Sequence, residues 1–359
     1  MRSLCQVPRC AWNDSEKFSG SMQTDLLRTS TAKDRANAVA RAVTLLRKGE
    51  IVALPTETVY GLAADALNPM AVARIFEAKE RPRFDPLIVH LPSRDWLEKI
   101  VDLPARDREL IFRLADSFWP GPFTLVLTKR DIVPETVTAG LDTVAVRISS
   151  DPVFADIVRE LDRPLAAPSA NRFGRVSPTS AQHVLDELDG RIPLIIDAGP
   201  TEHGIESTII GISNGRIEVL RRGPIAAEQL SKFAKVSLAA PTRKILAPGQ
   251  LPSHYAPKTA LELIDNAESF SPKKNQRVGL LAWHSIESQK NFTAARRLSE
   301  REDLREAAAN LFRYLRELDA LNLDLILAER VPSQGLGAAI MDRLERAAHG
   351  RPRAQDKPE

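Results

Sequence analysis

Three cations follow a run of hydroxyls in the stretch 48–90, KGEIVALPTETVYGLAADALNPMAVARIFEAKERPRFDPLIVH. Thr56, Glu57, Thr58 and Tyr60 crowd behind a short apolar run, and Lys79, Arg81 and Arg83 stand close together in KERPRFDP. Lysine offers phosphate oxygens a compact point charge, and arginine a bidentate fork. Hydroxyls at a strand end beside clustered cations make a receptor for a polyanion, and strand ends are where open α/β sheets bind ligands. For any single cation the plainer reading is a solvated helix end, with a base meeting the dipole. Three together, next to PTETVYGL, favour a site.

The elements that must hold these groups are legible in the same stretch. The run 51–54, opened by Gly49 and closed by Pro55, reads as a buried strand. Asn68 and Pro69 are suited to be the N-cap and first position of a helix with Val72, Ile75 and Phe76 on one face, stopped by Pro82. Pro86 then leads an apolar run into a second strand ending at His90.

Around this stretch the periodicity predicts an amphipathic helix over 33–48, with Ala36, Val39, Ala40, Val43 and Leu46 on its apolar face. Another helix is expected over 107–117. Strands are expected at 123–127, at 141–149 carrying Arg147, at 193–197, at 207–212 and at 216–220. The run 165–171 ends in the polar residues of PSAN, and 177–179 leads into a helix with Val184 and Leu188. Strands interspersed with helices imply an α/β domain with a mixed sheet. The pattern thins over 239–257, rich in proline, and restarts as strand 278–283, helix 302–318, strand 323–328 and helix 336–348. That βαβα order implies a small parallel, Rossmann-like unit. The expected division is 1–23 a disordered extension, 24–238 the catalytic domain, 239–258 a linker or lid, 259–349 the second domain and 350–359 a tail. Met22 offers an alternative start.

With 359 residues, 43% hydrophobic and 27% charged, the chain has the composition of an ordinary globular protein with room for two domains. A net charge of +3 permits anionic substrates without establishing nucleic-acid binding. No apolar run reaches the length of a membrane span, and no membrane partner is expected. Both cysteines, Cys5 and Cys10, precede the core, which is consistent with a reducing, cytoplasmic setting. There is no GxxxxGK[ST] loop, no GxSxG elbow and no Cys/His metal spacing. His183, His203, His284 and His349 read as scattered surface or core residues. A nucleotide-using chain of this kind must hold phosphates by separate cations, hydroxyls and backbone N–H groups.

PTETVYGL, KxRxxxxPLIVH, PSAN, SPTS, GIESTII, LRRGPI and PGxxxxHYAP follow one another in the chain. As a set they resemble the YrdC-type threonylcarbamoyl-AMP synthases, in family order over roughly 24–349, and the last motif points to the longer two-domain form. The resemblance implies a YrdC-like twisted mixed sheet with helices and a smaller Rossmann-like α/β domain. It implies a nucleotidyltransferase that takes ATP, L-threonine and bicarbonate or CO2 to L-threonylcarbamoyl-AMP and pyrophosphate. The product would pass to a downstream tRNA threonylcarbamoyl transferase, with weak RNA binding at most.

By motif position, the resemblance gives Lys79 and Arg83 to the ATP phosphates as the catalytic cations. It gives Thr124, Ser169, Asn171, Ser177, Arg221 and Tyr255 to the nucleotide, and Thr56, His90, Arg147 and Ser207 to threonine. Thr58 and Tyr60 would shape the wall, and Mg2+ would ride on the phosphates with few protein ligands. Phe173 departs from the pattern, standing where many members have serine before the glycine of SANxxG. Each residue also has a plain structural use. Thr56, Thr58 and Thr124 suit strands, Ser169 and Asn171 suit a turn, and Ser177 suits a helix cap. Ser207 suits a strand end, Arg147 and Arg221 suit surface ion pairs, and Tyr255 suits packing on the second domain. Two other functions compete: an RNA-binding module with a basic concave surface, and a carbamoyl-transferring enzyme. Aromatics at 5% and no aromatic RNA-binding strand count against the first. The absence of acylphosphatase and zinc-finger parts counts against the second.

Overall fold

The computed structural model describes residues 23–239, 248, 255–284 and 291–349. Nearly all of the expected extension, most of the 239–258 linker including His254, and the 350–359 tail lie outside the described residues.

Fifteen strands fall into two sheets among the described residues. The first eleven are β1 (Asp25–Arg28), β2 (Val52–Leu54), β3 (Gly61–Asp65), β4 (Ile88–His90), β5 (Phe123–Thr128), β6 (Thr143–Arg147), β7 (Leu165–Ala166), β8 (Leu194–Asp197), β9 (Thr208–Ser213), β10 (Arg216–Arg221) and β11 (Lys235–Leu238). They make one mixed sheet in the order β1-β8-β2-β3-β7-β4-β6-β5-β9-β10-β11. The other four, β12 (Leu261–Ile264), β13 (Val278–Ala282), β14 (Ala294–Arg297) and β15 (Leu325–Glu329), form a wholly parallel sheet in the order β12-β15-β13-β14. Parallel strands need crossover connections. The helices Leu304–Asp319 and Leu336–Ala348 pack with this sheet in one apolar cluster.

Local chemistry explains the elements that frame the site. The Asn68 side-chain oxygen accepts from the amides of Met70 (3.1 Å) and Ala71 (3.3 Å), and Pro69 starts the helix Pro69–Lys79. That helix ends at Glu80, in the left-handed region at φ +54°, before Pro82 is reached. Val72, Ile75 and Phe76 are buried on its inner face as expected. The helix Ala32–Arg47 forms behind a Thr31–Asp34 capping box, but its inner face differs from the expected one. Ala36 and Ala40 are exposed, while Ala38, Ala42 and Leu45 are buried beside Val39, Val43 and Leu46. Alanine carries too little apolar area to fix the rotation of a helix from sequence.

Alternation decides which strand residues can do chemistry. Phe123, Leu125 and Leu127 of β5, Val146 of β6 and Val89 of β4 enter the main core under the helices Pro69–Lys79, Arg108–Phe118 and Ala181–Leu188. Their chain neighbours Thr124, Arg147 and His90 therefore point to the opposite face. Near β2 and β8 that face is covered by the helices Ala32–Arg47 and Pro152–Leu161. Beyond them, polar side chains stand over the sheet.

Candidate active site

Over those strands lies a cavity of about 50 Å³, lined by Thr56, Thr58, Val59, Gly61, Arg81, Ile88, His90, Arg147, Ala167, Pro168, Ser169, Glu206, Ser207, Arg221, Pro248 and Tyr255. Ligand sites for drug-sized molecules usually measure roughly 300–1,000 Å³. Tyr255 and Pro248, both from the 239–258 segment, line this small space.

The PTET turn folds on its own hydroxyl. Thr56 Oγ1 donates to the Val59 carbonyl (2.6 Å) and accepts from the amides of Thr58 (3.1 Å) and Val59 (3.2 Å). The turn brings Glu57 down onto Arg147, which also donates to Thr58 Oγ1 at 3.2 Å, and Ser149 donates to the same carboxylate. The Arg147 Nε has no hydrogen-bond partner among the described residues. Tyr60 sends its hydroxyl away from the cavity, donating to the Gly199 carbonyl at 2.7 Å. Burial pushes that phenol well above the ordinary tyrosine range, and the backbone of Ala198 offsets only part of the shift.

His90 is buried against the Phe154 ring, with centroids 4.7 Å apart, and its Nδ1 has no partner among the described residues. Burial first, then the positive charge of Arg147, pulls its pKa well below the ordinary histidine value. His90 is thus a neutral imidazole with a hydrogen-bonding atom to spare.

On the other wall, Thr124 and Ser207 share a hydroxyl contact of 2.8 Å. Arg221 grips Ser207 twice, at its carbonyl (3.1 Å) and its hydroxyl (3.0 Å), and reaches the Pro248 carbonyl at 3.4 Å. Ser177 donates to Glu206, so it serves a carboxylate rather than capping a helix. The cap of helix Ala181–Leu188 is Ser180. Asn171 donates from Nδ2 to the carbonyls of Arg172 (2.8 Å) and Arg175 (2.9 Å), leaving its Oδ1 without a partner among the described residues.

The basic cluster separates in space. Lys79 is 1% exposed and lies under the SAN loop, donating to the carbonyls of Ser169 (2.6 Å) and Asn171. Burial, then Arg81, pulls its pKa well below the ordinary lysine value, with Asp85 acting in the other direction. Arg81 lines the cavity and is ion-paired with buried Asp85 at 2.9 Å. Arg83 is exposed and does not line the cavity. The structure thus brings Thr56, His90, Arg147, Ser169, Ser207, Arg221 and Tyr255 around one space, sets Thr124, Asn171, Ser177 and Lys79 directly behind it, and leaves Arg83 outside.

Arg81, Glu206 and Glu57 are the functional candidates that the roles assigned from sequence missed. Arg81 stands in KERPR, and its signal was the KxR spacing itself. Glu206 stands inside GIEST, but no sequence signal pairs it with a partner that lies 137 residues away.

The chain is similar to proteins of one family along most of its length. Residues 44–223 match the Sua5/YciO/YrdC family model, described as telomere recombination. Residues 225–349 match a model described as threonylcarbamoyl-AMP synthase, C-terminal domain. The threonylcarbamoyl-AMP synthase of Pyrococcus abyssi is 39% identical over 326 residues, an alignment covering 86% of this chain and 93% of that protein. That of Bacillus subtilis is 40% identical over 330 residues, covering 87% of this chain and 93% of that protein. The crystal structure of P. abyssi Sua5 complexed with L-threonine superposes with a TM-score of 0.80 at 36% identity, over 90% of this chain and 96% of that one. Nothing in these matches speaks for an RNA-binding module.

Proposed function

The chain belongs to the Sua5/YciO/YrdC family, in the form that carries the threonylcarbamoyl-AMP synthase C-terminal domain, and on that premise we propose the reaction its cavity serves. It is a nucleotidyltransferase that makes L-threonylcarbamoyl-AMP for tRNA modification, with ATP and L-threonine as substrates. Bicarbonate or CO2 supplies the carbon of the carbamate formed on the threonine nitrogen. A carbamate oxygen attacks the α-phosphorus, and the bond to the β-phosphate oxygen breaks to release pyrophosphate. Such a displacement asks the protein mainly for positioning and neutralisation of charge. The observation that supports this best is the meeting of Arg81, Arg147 and Arg221 with the hydroxyls of Thr56, Thr58 and Ser207 around one cavity.

Within it, Arg147 and neutral His90 are placed for the carboxylate and polar groups of threonine, beside Thr56 and Ser207. Arg81 and Arg221 are placed for the phosphates, with Ser169 and Tyr255 on the wall. Lys79, Thr124, Asn171 and Ser177 support that wall from behind, and Arg83 stands on the exposed turn beyond it. Among the described residues no group of three or more His, Cys, Asp or Glu is placed to hold a metal ion. Glu57 and Glu206 are hydrogen-bonded by arginines, and Asp85 is ion-paired with Arg81 while its two carboxylate oxygens accept no hydrogen bond among the described residues. In this reading Mg2+ comes with ATP as its counter-ion. We take 24–238 as the catalytic unit, 239–258 as its lid and 259–349 as the second unit. No helix among the described residues is long and apolar enough to cross a membrane. A cytoplasmic site of action, transfer of the product to a tRNA threonylcarbamoyl transferase and only incidental RNA contact complete the proposal.

The direct test is pyrophosphate release with threonine and bicarbonate omitted in turn. Release should require both, and full-rate release without threonine would sink the reading. Substrate choice gives a second expectation. Val59, Ile88 and Ala167 supply apolar surface to the cavity, and one methyl group in an apolar niche is worth about 10- to 200-fold in discrimination. Serine should therefore be a poor substrate by that factor in kcat/KM. Equal use of serine and threonine would mean that no such niche exists.

A further inference from the structure

The second unit meets the catalytic unit at the GIES loop. Gly204, at φ +68°, lies so close to the helix Leu304–Asp319 that an added Cβ would stand 2.5 Å from the Ala308 carbonyl oxygen. Ile205 is fully buried in the apolar cluster that contains Leu311, Phe312 and Leu344. The next residue, Glu206, lines the cavity and is bound by Arg343 of the helix Leu336–Ala348. The Arg343 side chain is 0% exposed. Its Nε donates to Glu206 Oε2 at 2.8 Å, its Nη2 to the Arg222 carbonyl at 2.9 Å and its Nη1 to Asp342 at 2.6 Å.

The charges of the cavity can be paired off one by one. Arg81 has Asp85, and Arg147 has Glu57. Arg221 has no carboxylate within ion-pair distance among the described residues. Glu206 and Asp85 are both near enough to act on it, and Asp85 already has Arg81. Burial raises the Glu206 pKa, but Arg343 first and Arg221 second more than offset this and hold it below the usual carboxylate value. With Arg343 in place, Glu206 is satisfied and Arg221 keeps its charge for a ligand. Without Arg343, a buried carboxylate would draw Arg221 to itself and set a negative charge beside the phosphates.

We propose that Arg343 is a positioning residue of the synthase reaction: from the second unit it neutralises Glu206, which leaves Arg221 available to the phosphates of ATP. The proposal rests on the reading of the cavity as the ATP and threonine site. It gives the second unit a defined part in catalysis, as the bearer of the counter-charge that keeps the nucleotide wall positive.

The test uses the full chain and measures initial rates with ATP and threonine varied separately. Arg343→Gln should raise the KM for ATP roughly 30-fold or more, the low end of what truncating one partner of a buried charge pair costs. The KM for threonine should move far less. Arg343→Lys, which keeps the charge but loses the fork, should fall between Arg343→Gln and wild type. The double variant Glu206→Gln/Arg343→Gln removes both charges and should recover most of the ATP KM lost in the single variant. A role limited to holding the two units together predicts the opposite: both KM values rise together, and the second substitution recovers nothing. Should Arg343→Gln fail to fold by thermal melting, the lysine variant and the neutral double variant carry the same comparison. An unchanged ATP KM in a folded Arg343→Gln, or a double variant as impaired as the single one, overturns the proposal. A wild-type chain that makes no threonylcarbamoyl-AMP overturns the reading of the site, and the proposal with it.

Discussion

Lys79→Ala is expected to lower kcat/KM for ATP by roughly 10²-fold or more, the scale of a lost electrostatic contact in a phosphoryl-type transition state. Two effects combine there. The amine is removed from beneath the cavity wall, and the carbonyls of Ser169 and Asn171 lose the donor that fixes the SAN loop. Arg81→Ala should cost at least as much activity and also stability. It strips buried Asp85 of its partner, and breaking a buried pair from one side costs about 3–5 kcal/mol. Arg83→Ala serves as the control. Its side chain is exposed, so a loss of less than about tenfold is expected, in the range of surface charge effects. Steady-state kinetics on the three variants, with thermal melting beside them, decide the assignment. A 10²-fold loss in Arg83→Ala with little change in Arg81→Ala would return the phosphate role to Arg83 and remove it from the cavity cation.

The difference between Arg81 and Arg83 shows where the sequence stops being informative. The segment KERPRFDP displays three cations at short spacing, and composition ranks none above another. The left-handed turn at Glu80 and the buried carboxylate of Asp85 select Arg81 for the interior, and both are properties of the folded chain. Elements with strong punctuation were legible, as with the Asn68-Pro69 start of a helix and the strand at 123–127 that follows Pro120-Gly121-Pro122. Elements without it were not. Strand β1 is short and half exposed, and the edge strand β11 (KVSL) has a largely exposed pattern, so neither carries a core signal. The polar side of the site was legible as a set of motifs. Its counter-charges were not, because Glu57 and Glu206 look like ordinary acidic residues until Arg147 and Arg343 arrive from distant parts of the chain. Pairings at such separations are set by strand order and by the docking of the second sheet, and no local pattern encodes them.

Tyr255 should separate a lid from a tether. Its backbone lies at φ +64°, a conformation that a bulky residue adopts at a cost of about 1–3 kcal/mol and only where its surroundings enforce it. Here the ring stacks on Phe312 with centroids 5.5 Å apart, and the Arg343 guanidinium stands 5.1 Å from its centroid. The next residue ties the chain to the SAN loop, as the Ala256 amide donates to the Gly174 carbonyl at 3.0 Å. The same side chain lines the cavity. Two substitutions divide these roles. Tyr255→Phe keeps the stack and removes the hydroxyl, so stability should hold while the KM for ATP rises roughly tenfold, as for one lost hydrogen bond to a charged group. Tyr255→Ala removes the ring as well. It should cost about 3–5 kcal/mol of stability through the void it leaves beside Phe312, and it should raise ATP hydrolysis that yields no threonylcarbamoyl product, because an opened site admits water to a hydrolysable adenylate. A chain ended at residue 239, which keeps β11 whole, should lose most synthesis for the same reason and because Glu206 loses Arg343. The lid is refuted by a phenylalanine variant with the wild-type ATP KM together with an alanine variant that melts early yet couples ATP use to product as tightly as wild type. Tyr255 would then hold the second unit in place and do nothing to the nucleotide.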